Sequence, residues 1–468
     1  MAMPWVILSR IIRVGPGPGA AAARAPAAAQ EQEQEQHAAA AGAPPAQGQH
    51  APARPDFILP ALPPPWVTVL SAGRAAHPDP ENHDRYPYII AAGSHCLLAH
   101  FSVHPFHGAQ FTDNGLHDSH FVVVRDFHVG GGGVGRGVAE RVPGRSGRIP
   151  ILSSLGNVSL ATNNRGDYQV AELQLDRGRN YATVIYFRTT RLEGWAGRFL
   201  TCPPAARDRN RIPHGAVHVD GNLWWFDLTW GILSCDASLQ DAALVFHELP
   251  AGRGLGDGEE PPPHIHTKRC VTGSLGRLRY VEIIADGGGG GGGAARVAMW
   301  TRSRKPDGNG WRWDADYSVS FEEIWDDDSY KRTGLPRNVP LLVVVCPSDP
   351  HLVYFALEQR IFDVNVPQHR VMHGAVYEPP DLPWAAAGPV SGRYLLACYL
   401  PTATGGSPRP PRDPHHAPLR MLGPRGLVLL KVLKAADVSK GLNVGREVAQ
   451  TCENAFARDG VAHRMRFR

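Results

Sequence analysis

A chain of 468 residues is long enough for one large or two ordinary domains with a substantial core, and 43% hydrophobic against 20% charged residues fits a soluble globular protein. The net charge of +4, from 48 basic and 44 acidic residues, is too balanced to argue for nucleic acid as the main partner, and no apolar run reaches the roughly 18 to 20 residues of a membrane span. Seven widely spaced cysteines without a C-x-x-C pair argue against a zinc knuckle or a secreted disulfide framework, and for reduced thiols in the cytoplasm or nucleus.

The chain starts with "PWVILSRII", an apolar run broken by Arg10. The first thirty residues carry Arg10, Arg13 and Arg24, much alanine and no acid before Glu31, which loosely resembles an organellar transit peptide; the scarcity of serine favours an unstructured leader. Residues 1–55 are therefore expected to be a low-complexity, disordered leader, because Gly15 to Pro55 lacks the large apolar residues that build a core. A β-rich body is expected over 56–400, with Trp66, Val67, Val69 and Leu70 starting its first strand. Short runs rich in β-branched and aromatic residues then recur between Gly, Pro, Asn and Asp punctuation, from "HFVVVRDF" through "YSVSFEEIW" to "RYLLACYL". Thirteen such runs with almost no competing helical period predict short antiparallel strands joined as hairpins. Two glycine tracts, Val129 to Gly137 and Asp286 to Ala295, read as expanded hairpin loops, and neither has the Gly-Lys-Ser/Thr ending of a phosphate loop. A Pro-rich linker over 401–426 leads to an expected helical tail over 427–468, where Val448, Cys452 and Phe456 recur every fourth residue ahead of Gly460.

The densest stretch is "HGAVHVDGNLWWFDLTWGILSCD", His214 to Asp236. Val217 and Val219 alternate with polar residues, Asp220-Gly221 supplies the left-handed backbone of a tight turn, and Leu223 to Leu228 returns as the paired strand. The turn-like "VDGNLWW", "GSLGRLRY" and "SDPHLVYF" occupy corresponding places in three successive units, at intervals of roughly 55 and 75 residues. The fold class read from this is mainly β: repeated antiparallel sheets, β-propeller-like, with a short C-terminal helical segment, and packed β-sandwiches as the alternative.

The order of "GNLWWFDLTWGILSCD", "LVFHELP", "GRLRYVEI", "VAMWTR", "DYSVSFEEIWDDDSYKRTGLP" and "DPHLVYFALEQRIFDVNV" resembles the plant domain of unknown function 1618 family, which is expanded in grasses. The resemblance covers about Trp66 to Leu400, with its signature from about His214. It implies a β-rich fold akin to the propeller-like domains associated with F-box proteins, and no established reaction; no F-box helix set is visible in the N-terminal segment.

Chemistry has few candidates. Asp227 and Asp236 could be paired carboxylates, against a reading as strand-end and turn residues. Cys235 has no neighbouring base to activate it. His95, His100, His104, His107, His117 and His120 fit neither H-E-x-x-H nor a zinc finger. The acidic residues Glu322, Glu323, Asp326, Asp327 and Asp328 lack the alternating ligands and glycine of a calcium loop, and read as a solvated turn or a docking surface. No catalytic, cofactor-binding or metal-binding residue is assigned and no cofactor is expected. The expected function is a non-enzymatic protein-interaction module with an unidentified protein partner. A hydrolase or metal-dependent enzyme using residues 95–120 or Asp227 and Asp236 is the alternative, and a lectin using surface tryptophans the weaker one.

Overall fold

Asp220-Gly221, with φ angles of 50° and 72°, turns Gly215–Val219 back onto Asn222–Asp227, which pairs in turn with Gly231–Asp236 and then Val245–Glu248. Leu275-Gly276, at 50° and 69°, does the same at the start of the next four-stranded sheet, Arg269–Ser274, Arg277–Ile284, Arg296–Arg304 and Trp311–Ser320. These are the left-handed turns that match strand twist. A third four-stranded sheet follows in Leu341–Val345, Leu352–Leu357, Arg360–Asn365 and Arg370–Val376. The computed structural model describes residues 5–15, 57–60, 62–73, 87–102, 119–129, 134–145, 149, 152–163, 165–176, 178–190, 194–207, 213–241, 243–256, 259–262, 264–285, 295–306, 310–377, 394–400, 420–423 and 426–429.

The described strands form six sheets, and the first strands of consecutive sheets touch one another in a closed circuit. Blade I starts at Tyr88–Ala92 and runs outward through Cys96–Ser102, Ser119–Val129 and Val134–Arg141 to the short strands Phe57–Pro60, Ser71–Gly73 and Arg13–Gly15. Blade II holds Val158–Thr162, Tyr168–Leu175, Tyr181–Arg188 and Trp195–Thr201, with Arg420–Gly423 and Gly426–Leu429 added at its edge. Blades III, IV and V are the three sheets described above. Blade VI has Leu395–Tyr399 innermost, then Trp5–Ser9 antiparallel to it, then Val67–Thr68. The result is a six-bladed β-propeller closed by strands from opposite ends of the sequence, which excludes the packed sandwiches.

Six apolar clusters hold the ring, one in each gap between blades. Side chains alternate across a strand, so a blade flanked on both sides must be apolar on both faces. In Trp5–Ser9, Val6 and Leu8 face blade I while Ile7 packs against Val343 and Tyr354 of blade V. This explains near-continuous runs such as "FVVVR" and "LLVVV" where a one-sided sheet would show alternation. Backbone bonds complete the closure: Arg10 N–H donates to the Tyr394 carbonyl at 2.8 Å, and Ile89 N–H donates to the Arg10 carbonyl at 2.6 Å. The Arg10 guanidinium donates to the Ile89 and Ile90 carbonyls at 3.0 and 2.6 Å.

Several expectations change. Trp5–Ser9 and Arg13–Gly15, placed by sequence inside a leader over 1–55, are strands, because "WVILS" supplies apolar residues to both faces of the closing blade; residues 16–56 lie outside the described residues. Trp66 to Leu70 contributes only the two-residue strand Val67–Thr68. "FEEIWD" is helical, since Ser320 accepts from Glu322 N–H at 3.1 Å and the Glu323 carboxylate accepts from Ser320 N–H at 2.9 Å, a capping box that ends the strand at Ser320. The linker expected over 401–426 contains the strand Arg420–Gly423, and the expected helical tail over 427–468 begins with a strand, Gly426–Leu429, because the two pair as a hairpin on blade II. Residues 430–468, with Val448, Cys452 and Phe456, lie outside the described residues. Both glycine tracts connect paired strands, as hairpin loops do.

Leu8 is fully buried in the closing blade, whereas Leu62 is 41% exposed. Leu8→Ala is expected to cost about 2–5 kcal/mol, and Leu62→Ala to stay within about 0.5 kcal/mol, in guanidinium unfolding followed by tryptophan fluorescence.

Candidate functional site

Trp224 and Trp225 are adjacent in a strand and therefore point to opposite faces of blade III. Trp224 packs toward blade IV, its Nε1–H donating to the Val219 carbonyl at 3.1 Å and its ring meeting Trp311 edge-on at 5.7 Å. Trp225 packs toward blade II, its Nε1–H donating to the Asn157 carbonyl at 2.7 Å. The pair is a double wedge between three blades. Trp230 stacks on Phe246 at 4.4 Å. The three tryptophans therefore line no common cleft with Asp227; the space beside Asp227, Trp225 and Trp230 holds about 10 Å³, room for one water. Trp66, at 50%, is the one exposed tryptophan among the described residues.

Asp236 pairs in register with Asn222, and Asp227 lies five residues further along that strand. At about 3.4 Å per residue the two aspartates are separated by roughly 17 Å, too far for joint acid–base work. Each closes a turn. Asp227 Oδ1 accepts from Thr229 N–H at 2.8 Å and Oγ1–H at 2.5 Å, and stands 3.4 Å from His214 Nδ1. Burial pushes this carboxyl up, but His214 and Thr229 outweigh burial and hold it below its ordinary value. Asp236 accepts from Ser238 N–H at 2.7 Å and Oγ–H at 2.6 Å. Burial raises the Cys235 thiol to about 12, which makes it inert at neutral pH.

His100 is directly opposite Phe121, and Phe101 opposite His120, so His100 and His120 project from opposite faces of blade I and cannot share a metal ion. His95 lies in the bend before that strand; His104, His107 and His117 lie outside the described residues. Among the described residues, no group of three or more potential ligands could hold a metal. In the acidic run, Glu323 belongs to the capping box, Asp327 caps the turn Asp328–Lys331, and Asp326 meets Arg337 at 2.7 Å. Glu323 and Asp327 thus serve helix ends and Asp326 an ion pair.

The inner strands surround a central channel of about 770 Å³. Its two arginines, Arg10 and Arg269, are engaged with protein atoms. Arg269 donates to the Leu228 and Arg253 carbonyls at 2.8 Å each and to Glu282 at 3.1 Å, joining blade III to blade IV. His214 meets His266 edge-on at 5.0 Å.

A second opening, about 340 Å³ between blades III and IV, is different. Arg302 pairs across strands with Trp313 and Arg304 with Trp311, giving two guanidinium–indole stacks at 5.1 and 4.8 Å. Arg277 and Asp220 complete its charged wall. An arginine nitrogen can only donate, so His247 Nδ1, 2.8 Å from Arg302 Nη2, is an acceptor, and Nε2–H donates to Ser234 Oγ at 2.7 Å. Burial and the Arg302 charge lower His247 to about 3, keeping it neutral. The "RSR" and "WRW" triplets facing each other across "KPDGNG" are the sequence signal for this ladder, and the motif reading passed over them.

The strand circuit defines the class: a six-bladed β-propeller. Residues 225–354 match the family described as "Protein of unknown function (DUF1618)", a span from the second strand of blade III to the second strand of blade V that includes the arginine–tryptophan ladder. No curated protein matches the sequence. Similar solved structures include the Cps50 (Swd1) beta-propeller domain of Myceliophteria thermophila, at 10% identity over 59% of this chain and 89% of that one, with a TM-score of 0.27. Others are a putative 6-phosphogluconolactonase from Bacteroides fragilis (12% identity, 62% and 69% covered, TM-score 0.29) and apo AztD from Citrobacter koseri (10% identity, 70% and 83% covered, TM-score 0.30). At these scores the likenesses add nothing to the strand pairing. No helix among the described residues is long and apolar enough to cross a membrane.

His100 and His247 are each 3% exposed and lowered to about 3, His100 by burial and then His120, against an ordinary 6.5. The unfolded chain therefore binds more protons between pH 6.5 and about 3, so their stabilising contribution is complete above pH 6.5 and falls as pH drops. The expected loss is about 1.4 kcal/mol per pH unit for each histidine. Guanidinium unfolding between about pH 7.5 and about pH 4.5 checks this; a flat profile would contradict neutral burial.

Proposed function

We propose that this chain is a plant member of that family and a non-enzymatic propeller scaffold for protein partners in the cytoplasm or nucleus. The observation that carries the reading is the fate of the candidate catalytic groups. Asp227 and Asp236 are far apart and occupied in turns, Cys235 is inert, and the described histidines diverge. Propellers offer binding surfaces at their loop ends and blade gaps, and the gap between blades III and IV is open and lined with charge. The reduced compartment is supported by six free cysteines among the described residues, five of them buried.

Proximity labelling in the native tissue, followed by co-purification of the full-length protein, tests the reading. The expected result is a protein partner at fixed stoichiometry that survives washing. Stoichiometric zinc or iron in the purified protein would overturn it in favour of a metal-dependent enzyme.

A further inference from the structure

We propose that the gap between blades III and IV is a docking groove for an extended, acidic segment of a partner protein, whose alternate carboxylates meet Arg302 and Arg304. The inference rests on the scaffold reading and deepens it.

Blade IV neutralises most of its other described arginines. Arg269 meets Glu282 at 3.0 Å, Arg279 meets Asp316 at 2.8 Å, and Arg312, on the other face of the same hairpin, meets Asp314 at 2.7 Å. Arg277, Arg302 and Arg304 have no carboxylate within 4.0 Å among the described residues. Arg302 is the informative one. It is half-buried, its Nε is shielded from solvent without a hydrogen-bond partner, and its one side-chain acceptor is a neutral histidine. Burial lowers it only to about 10, so it stays charged at neutral pH. A guanidinium withdrawn from water and left without a counter-charge weakens the free protein, and an anion arriving in the groove removes that cost.

Arg302 and Arg304 are two residues apart on one strand face, roughly 7 Å along the strand. Carboxylates at alternate positions of an extended peptide have the same spacing, so a β-like acidic segment matches both stacks at once. The indole faces of Trp311 and Trp313 hold the guanidinium planes in place, which reduces the entropy lost on binding. Asp220, the groove's one acidic wall residue, makes no ion pair with them and disfavours an anion at its own end.

A second observation, in the turn that leads into the groove wall, is independent of charge. Leu275 occupies the first left-handed position of the turn before Arg277, with φ 50°, where blade III uses Asp220; it is also 59% exposed. A leucine there is strained and wets an apolar side chain, and asparagine or glycine would do neither. Leu275 is not itself a wall residue, and its backbone N–H donates to the Pro347 carbonyl of blade V at 2.9 Å, but it directly precedes the wall residues Gly276 and Arg277 and so offers an apolar contact to a segment that runs past the groove's end.

The test uses the full-length protein and an end-capped peptide of alternating glutamate and valine, with its glutamine–valine counterpart, read by tryptophan fluorescence and calorimetry. The glutamate peptide is expected to bind roughly tenfold or more tighter than the glutamine peptide. Arg304→Gln and Arg302→Met are expected to remove that difference, and raising salt to weaken binding of the glutamate form. Arg302→Met and Leu275→Asn are expected to keep or raise the melting temperature while weakening binding, which residues serving only packing would not do. Equal binding of the two peptides, wild-type binding by Arg304→Gln, or preference for an oligonucleotide would overturn the groove's assignment. A lower melting temperature for Arg302→Met with unchanged binding by Arg304→Gln would assign the arginines to packing between blades. Should partners be captured while the peptide fails to bind, the groove is refuted and the scaffold reading stands.

Discussion

The pairing of Trp5–Ser9 with Leu395–Tyr399 is the constraint on which the molecule depends. A propeller blade has no face of its own to leave in water, because each face is the neighbour's core. Breaking the ring at any gap would expose two apolar sheets. The closing blade is also the slightest, with three described strands, one of them two residues long. It compensates through Val6, Ile7 and Leu8, which reach the clusters on both sides, and through Arg10, whose backbone and guanidinium stitch blade VI to blade I.

The same requirement explains why the most distinctive sequence is structural. "WWFDLTWG" joins three blades: successive tryptophans wedge two gaps, and Asp227 folds the turn that returns the chain as the next strand. Residues that would attract attention as catalysts are consumed by this geometry. What remains chemically unspent lies in the next gap, where arginines are held on tryptophan faces without carboxylates. The electrostatic contrast within one hairpin, Arg312 neutralised and Arg302 and Arg304 not, separates a surface that only folds from one that can also bind.

Blades III and IV were legible because each begins with a two-residue turn, Val219 pairing with Asn222 and Ser274 with Arg277, and blade V because the Pro-Ser-Asp-Pro loop between Val345 and its partner Val353 sits in the corresponding place. Blade I was hidden by strands drawn from four separated stretches, blade VI by its division between distant parts of the chain, and blade II by its uneven turns. The helix at Phe321 was written in the Ser320–Glu323 spacing but masked by the β-rich run before it. The turn roles of Asp227 and Asp236 could be read locally. Their separation could not, since it depends on strand register. The arginine groove was missed because its meaning lies in absent partners, and a sequence does not say which charges will meet.

Ring closure by distant strands also orders the events of synthesis. Trp5–Ser9 leaves the ribosome before the other described strands, yet its antiparallel partner Leu395–Tyr399 is made long after it. Val67–Thr68 and blade I reach it early, but the face carried by Ile7 waits for blade V and for Leu395, and until then it is a natural client for a chaperone. Blades III, IV and V, contiguous in sequence and joined by local turns, can assemble while that first strand waits. A truncated product ending before Leu395 would retain most of its strands and still lack the seam that makes them one body.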